Sequence, residues 1–117
     1  MGKMSRNKGK VGEREFAALC RENGYADVHR TAQFKGKTGD AGDCEGLPGI
    51  HIEVKRVESL RLYDALDQSR RDATATGNGD LPIVAHRKNQ CDWVVIMDAN
   101  DWFRLYREWE AGRSVGK

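Results

Sequence analysis

Residues 43–57 read Asp43-Cys44-Glu45-Gly46-Leu47-Pro48-Gly49-Ile50-His51-Ile52-Glu53-Val54-Lys55-Arg56-Val57. Two short strand-like runs flank Gly46-Leu47-Pro48-Gly49, a turn composition, so the stretch predicts a β-hairpin whose second arm runs from Ile50 to Val57. Strand side chains alternate between faces. Ile50, Ile52 and Val54 then point to a core, while His51, Glu53 and Lys55 share the opposite face. With Asp43 close by, that face suits a hard-oxygen site for Mg2+ in which a lysine stands beside the water that attacks a phosphodiester. An E-x-K triplet alone also fits a plain cross-face salt bridge, so its neighbours decide.

Upstream, the pattern from Lys8 to Asn23 is helical and ends at Gly24, where a left-handed cap is expected. Phe16, Leu19 and Cys20 form its apolar stripe, Glu13 falls on the edge of that stripe, and Glu15 and Glu22 fall on the solvated side. A carboxylate on a buried edge needs a metal, a lysine or an ion-pair partner. Tyr25 to Thr31 reads as a strand. Ala32 to Gly42, rich in glycine and lysine, reads as a mobile loop.

Downstream, Leu62, Ala65, Leu66, Ser69 and Ala73 fall on one side of a helix ending near Gly77, with Gln68 on its flank. Pro82 to His86 and Asp92 to Met97 read as strands, the second so continuously apolar that a central, doubly covered position is expected. Trp102, Leu105, Tyr106 and Trp109 stand at i, i+3, i+4 and i+7 of a closing helix, with Asp98 or Asn100 as its cap. Such a stripe reads as core, and its Trp and Tyr content would also suit a dimer surface. The order helix, strand, strand, strand, helix, strand, strand, helix predicts an α/β, three-layer arrangement: a central mixed β-sheet flanked by helices.

The 117 residues allow one domain, spanning 1–117 with a flexible basic stretch at 1–7, and leave no room for a second specificity domain. Net charge is only +2 although 32% of the chain is charged, so the distribution of charge says more than its sum. Lys3, Arg6, Lys8 and Lys10 crowd the first twelve residues without an acid, and Arg30, Lys35 and Lys37 precede the hairpin; both segments could track phosphates. Cys20, Cys44 and Cys91 form no C-x-x-C pair and read as reduced thiols. No stretch approaches the roughly 18 apolar residues of a membrane span, and no signal peptide is apparent, so a cytoplasmic protein is expected.

A helix Glu, then an Asp, then E-x-K on a hairpin, then a Gln in the following helix is the motif order of the PD-(D/E)XK nuclease superfamily. Between Lys8 and Gln68 the chain resembles its small Holliday junction resolvase branch, and Gly9-Lys10-Val11-Gly12-Glu13-Arg14 resembles the opening helix of those enzymes. The resemblance implies a restriction-endonuclease-like fold, catalytic Glu13, Asp43, Glu53, Lys55 and Gln68, and metal held by Asp43, Glu53, the Val54 carbonyl and Glu13. It implies Mg2+, with Mn2+ as substitute, and no organic cofactor. Lys8, Lys10, Arg14, Arg30, Lys35, Lys37 and Arg56 would contact branched or duplex DNA, and symmetric nicking of a junction would need a homodimer. Two departures from the family pattern are visible. Gly42 stands where a proline is usual before the metal Asp, and Asp40 competes with Asp43 for that role. Glu45 is an extra acid, either an auxiliary ligand or a surface charge.

His51 lies on the site face, where a hydrogen bond beside the carboxylates is its simplest role. Asp64, Asp67 and Asp72 read as solvated charges of a surface helix, and His29 and His86 belong to no constellation. A flap, repair or nicking nuclease of the same fold is the nearest alternative, and a noncatalytic DNA-binding module is the alternative of another class. An RNA-binding module is disfavoured, because Trp93, Trp102 and Trp109 fall in core-like patterns instead of an exposed stacking row.

Overall fold

The computed structural model describes residues 2–32 and 42–115, with side chains from Gly9 to Ser114. Lys35, Lys37 and Asp40 lie outside the described residues, as does the side chain of Lys8. The elements are α1 (Gly2–Glu22), β1 (His29–Arg30), β2 (Cys44–Glu45), β3 (Ile50–Arg56), α2 (Leu62–Thr76), β4 (Leu81–Arg87), β5 (Val94–Ile96) and α3 (Ala99–Val115). Their order is the one expected from the hydrophobic pattern.

The sheet runs β1-β2-β3-β4-β5. Every neighbouring pair is antiparallel except β3 and β4, which run parallel from Ile50↔Leu81 to Arg56↔Arg87. A parallel pair needs a long crossover, and α2 supplies it. This helix buries Ala65, Leu66, Ser69 and Ala73, ends at Gly77 in the left-handed region (φ 75°), and donates the Ser69 hydroxyl to the Ile83 carbonyl at 2.9 Å.

The strand alternation splits the core into two layers. Phe16, Ala17 and Cys20 of α1 pack with Val28, Cys44, Ile52, Val54, Ile83 and Ala85 on one face of the sheet. Ala65 and Leu66 of α2 pack with Val84 on the other. Glu53 pairs in register with Val84 and therefore faces α2. Two glycines permit close approaches. A Cβ on Gly12 would lie 2.5 Å from Arg56 Cβ, so only glycine lets α1 settle this near β3; a Cβ on Gly46 (φ 101°) would run into the Asp27 carbonyl.

Four expectations need correction. The apolar run Trp93 to Met97 yields a three-residue edge strand in which Val94 and Val95 are about half exposed. Only Trp93, Ile96 and Met97 reach the two cores. The closing aromatic stripe is not core either, since Trp102, Phe103, Leu105, Tyr106 and Trp109 are all exposed and belong to neither apolar cluster. They form a ladder along α3, with Trp102 stacked on Tyr106 (5.3 Å), Tyr106 tilted against Trp109 (5.5 Å) and the Arg113 guanidinium over Trp109 (4.9 Å). This is an exposed aromatic row, so the ground on which an RNA-binding module was disfavoured holds for Trp93, packed against the α1 core, and fails for Trp102 and Trp109. Third, α1 starts at Gly2 instead of near Lys8. Fourth, Glu15 is not a solvated charge: it pairs with Arg56 (3.5 Å) and Arg87 (3.1 Å) at the seam between α1 and the sheet. Among the described residues no helix is long and apolar enough to cross a membrane.

Candidate active site

Asp43 enters the site through backbone pairing at the start of β2. Its amide donates to the Ile52 carbonyl at 2.8 Å, and its Oδ2 accepts from the Val54 amide at 2.8 Å. It therefore brackets Glu53 from both sides. The two carboxyl groups also share a hydrogen bond. Glu53 is 3% exposed. Burial pushes its carboxyl up from 4.5 to about 7, Asp43 adds to the rise, and the hydrogen bond from His51 offsets part of it. Val54 turns its side chain into the α1 core, so its contribution to the site comes from the main chain.

On the same strand face, Lys55 Nζ donates to Gln68 Oε1 at 3.2 Å. Lys55, Gln68, Leu60, Arg61, Asp64 and Ala65 line an open cleft of about 360 Å³, so the ammonium is positioned beside solvent-accessible space. Asp43, Glu53, Lys55 and Gln68 are thus brought together by the hairpin and α2. The donor set is hard oxygen and one carboxyl is buried against another acid. These residues fit a divalent cation such as Mg2+, which would replace the proton that burial favours on Glu53.

Glu13 sits one layer away, on α1. Its Oε1 accepts from Arg30 Nε at 2.6 Å, with both side chains largely buried, and its carbonyl accepts from the Cys44 thiol at 3.4 Å. The thiol itself is pushed up to about 12 by burial, with Asp43 and Glu13 adding to the rise. Glu45 is drawn to the surface by His29 at 2.8 Å and joins no carboxylate cluster among the described residues. The Asp27 carbonyl, followed by Glu45, raises the His29 pKa.

The basic residues separate into two groups. Lys10 and Arg14 are exposed on α1 and Arg30 is half-buried beside Glu13. Arg56 differs from the expectation of a DNA contact. Its side chain is 13% exposed and ion-paired with Glu15 and Glu58, each at 3.5 Å, while Nη2 donates to Asn89 at 2.9 Å. Its charge is spent on joining α1, β3 and the loop after β4.

Two further residues belong to the site face: His51, which strand alternation had placed there, and Asp72, which the pattern left aside. His51 Nε2 lies 3.1 Å from Glu53 Oε1, with both side chains buried. Asp72, read as a solvated charge, brings a carboxylate oxygen to them: one donor atom from each of His51, Glu53 and Asp72 lies within 4.8 Å of the others. The helical period held the signal, because Asp72 follows Gln68 by one turn and so shares its flank.

Neither a family model nor a curated protein sequence matches the chain. A solved structure does. The Holliday junction resolvase Hjc of the archaeal hyperthermophile Archaeoglobus fulgidus superposes with a TM-score of 0.56 at 22% identity, over 76% of each chain. The protein shares the fold of that resolvase. At that identity the likeness is one of architecture, and it fits the mixed five-stranded sheet and three helices found here.

Proposed function

We propose that this protein is a Mg2+-dependent DNA endonuclease acting on branched DNA, with the four-way junction as its substrate. The observation that carries the reading is the single-face arrangement of Asp43, Glu53 and Lys55, with Gln68 holding the lysine, on a resolvase-like sheet. Asp43, Glu53 and the Val54 carbonyl would hold the ion, and Mn2+ would substitute for Mg2+. Bound there, the ion supplies Lewis-acid activation of water and of the scissile phosphate. Lys55 orients the attacking water and offsets negative charge that grows on the phosphate, and Gln68 keeps its ammonium in place. Glu13 acts from the α1 edge by orienting Arg30 towards the backbone of the DNA. Lys10 and Arg14, exposed on α1, extend that basic track, and Lys8, Lys35 and Lys37 are proposed as further DNA contacts. Arg56 is set aside from the track because its charge is neutralised within the fold.

Two nicks placed symmetrically require two sites, so the working form is a homodimer. Support comes from the aromatic ladder of α3 and from Val94 and Val95 of the edge strand β5, all exposed within the chain. Recombination or repair in the cytoplasm of a bacterial or phage-infected cell would suit such an enzyme.

The test is Mg2+-dependent cleavage of matched synthetic DNAs: a four-way junction, a flap, a nicked duplex and a linear duplex, with wild type beside Asp43→Asn and Lys55→Ala. Paired symmetric nicks in the junction, lost in both variants, are the expected result. Cleavage of several forms would move the protein to a general structure-selective nuclease, and binding without cleavage would make it a noncatalytic module.

A further inference from the structure

We infer that His51, Glu53 and Asp72 form a second divalent-cation site, one that shares Glu53 with the Asp43–Glu53 pair and takes a transition ion of the Mn2+ or Co2+ class. The inference rests on the reading above in one respect, that Glu53 serves both sites, and the test separates the two.

The geometry suits a single ion. An octahedral cation with ligands at about 2.1 Å sets neighbouring ligand atoms about 3 Å apart and opposite ones about 4.2 Å apart. His51 Nε2 and Glu53 Oε1 are separated by 3.1 Å, and the Asp72 oxygen completes a triangle whose sides do not exceed 4.8 Å. Small closures of this triangle bring all three within reach of one ion.

The three ligands are also held in place. His51 and Glu53 project from the central strand β3, paired along its length with β4. Asp72 rides on α2, which is locked onto β4 by Ala65, Leu66, Ser69 and Ala73. Charge argues in the same direction. Two carboxylates converge here with a third, Asp43, bonded to Glu53, and among the described residues no lysine or arginine pairs with Glu53 or Asp72. A dication supplies the missing positive charge.

A second observation points to a polar guest. His51 lines a surface cavity of about 490 Å³ together with Thr31, Cys44 and Thr76. The Thr31 hydroxyl is buried there without a hydrogen-bond partner among the described residues. Buried hydroxyls are normally satisfied, and a water carried by a bound ion would satisfy this one. The cavity gives such an ion a route to His51 that does not pass the Lys55 cleft. An imidazole in the ligand set shifts preference from Mg2+ towards Mn2+ and Co2+, so the two sites would sort ions differently.

The experiment counts bound Mn2+ by electron paramagnetic resonance in wild type, Asp43→Asn, His51→Gln and Asp72→Asn, each first shown to be folded by circular dichroism. Wild type is expected to bind two ions per chain, with nitrogen modulation from His51 in the pulsed spectrum. Asp72→Asn and His51→Gln should each weaken one ion at least tenfold, and His51→Gln should erase the nitrogen signal. Asp43→Asn should keep the nitrogen-coupled ion while losing the other. Unchanged stoichiometry and affinity in both His51→Gln and Asp72→Asn would overturn the second site and leave the Asp43–Glu53 reading standing. Loss of all binding to His51→Gln and Asp72→Asn, with none lost in Asp43→Asn, would support the second site and overturn the first. Asp72→Asn keeps the test decisive should the buried His51→Gln variant fail to fold.

Discussion

Replacing Glu53 by glutamine should stabilise the metal-free protein at neutral pH, and the size of the effect follows from burial. Glutamine keeps the shape and can still accept from His51 and donate to Asp43, so the change removes a charge and little else. The wild-type carboxyl ionises near 4.5 in the unfolded chain but only at about 7 in the fold. Below pH 4.5 both states are protonated and the glutamine offers no advantage. Between 4.5 and about 7 the unfolded chain releases a proton that the fold retains, so wild-type stability falls as pH rises; above 7 the fold carries the full penalty. A rise of this size corresponds to roughly 3 kcal/mol at about 1.4 kcal/mol per decade. In a domain of this length that is on the order of 10 °C in Tm. The assay is thermal and urea unfolding of wild type and Glu53→Gln in chelator from pH 4.5 to 8. The curves should coincide at the acid end and separate towards pH 8, and excess Mn2+ should close the gap, because the ion binds the carboxylate form alone. Parallel curves across the range, or a glutamine variant less stable at pH 8, would refute the reasoning.

Other expectations concern packing and surface. Gly12→Ala should cost about 1–3 kcal/mol in urea unfolding, since its new Cβ would meet Arg56 Cβ at 2.5 Å; an unchanged midpoint would show that α1 can lift away at no cost. Trp102→Ser with Tyr106→Ser should turn a dimer into a folded monomer by light scattering, because both rings are exposed within the chain; a wild type that is monomeric at micromolar concentration would sink the dimer. Cys44, buried and with its thiol pushed up to about 12, should resist thiol reagents that label the half-exposed Cys91, until denaturant is added.

What the chain discloses about itself divides along a physical line. The hairpin from Asp43 to Arg56 and the helix α2 were legible because turn chemistry, strand alternation and helical period are local properties that the packing then respects. Glu53, Lys55 and Gln68 came with them. Trp93 to Met97 and the aromatic stripe of α3 misled for one reason: apolarity reports that a surface is to be covered, without saying whether this chain or another molecule covers it. Glu15 and Asp72 were misread for a different one. Both carry charges on helix flanks, and only the three-dimensional meeting of α1 with Arg56 and Arg87, and of α2 with His51, reveals that those flanks face protein. No spacing rule joins Glu15 to Arg87, which are 72 positions apart.

The parallel join between β3 and β4 also sets the order in which this molecule acquires its chemistry during refolding. Asp43 and Glu53 belong to one hairpin, so their meeting asks for the closure of a short loop, an early and inexpensive event. Gln68 and Asp72 arrive only when the whole crossover has folded back and β4 has docked, a slower step of longer range. A refolding chain therefore brings its acid pair together first and steadies its lysine last, and formation of the Lys55–Gln68 contact should lag behind recovery of the hairpin.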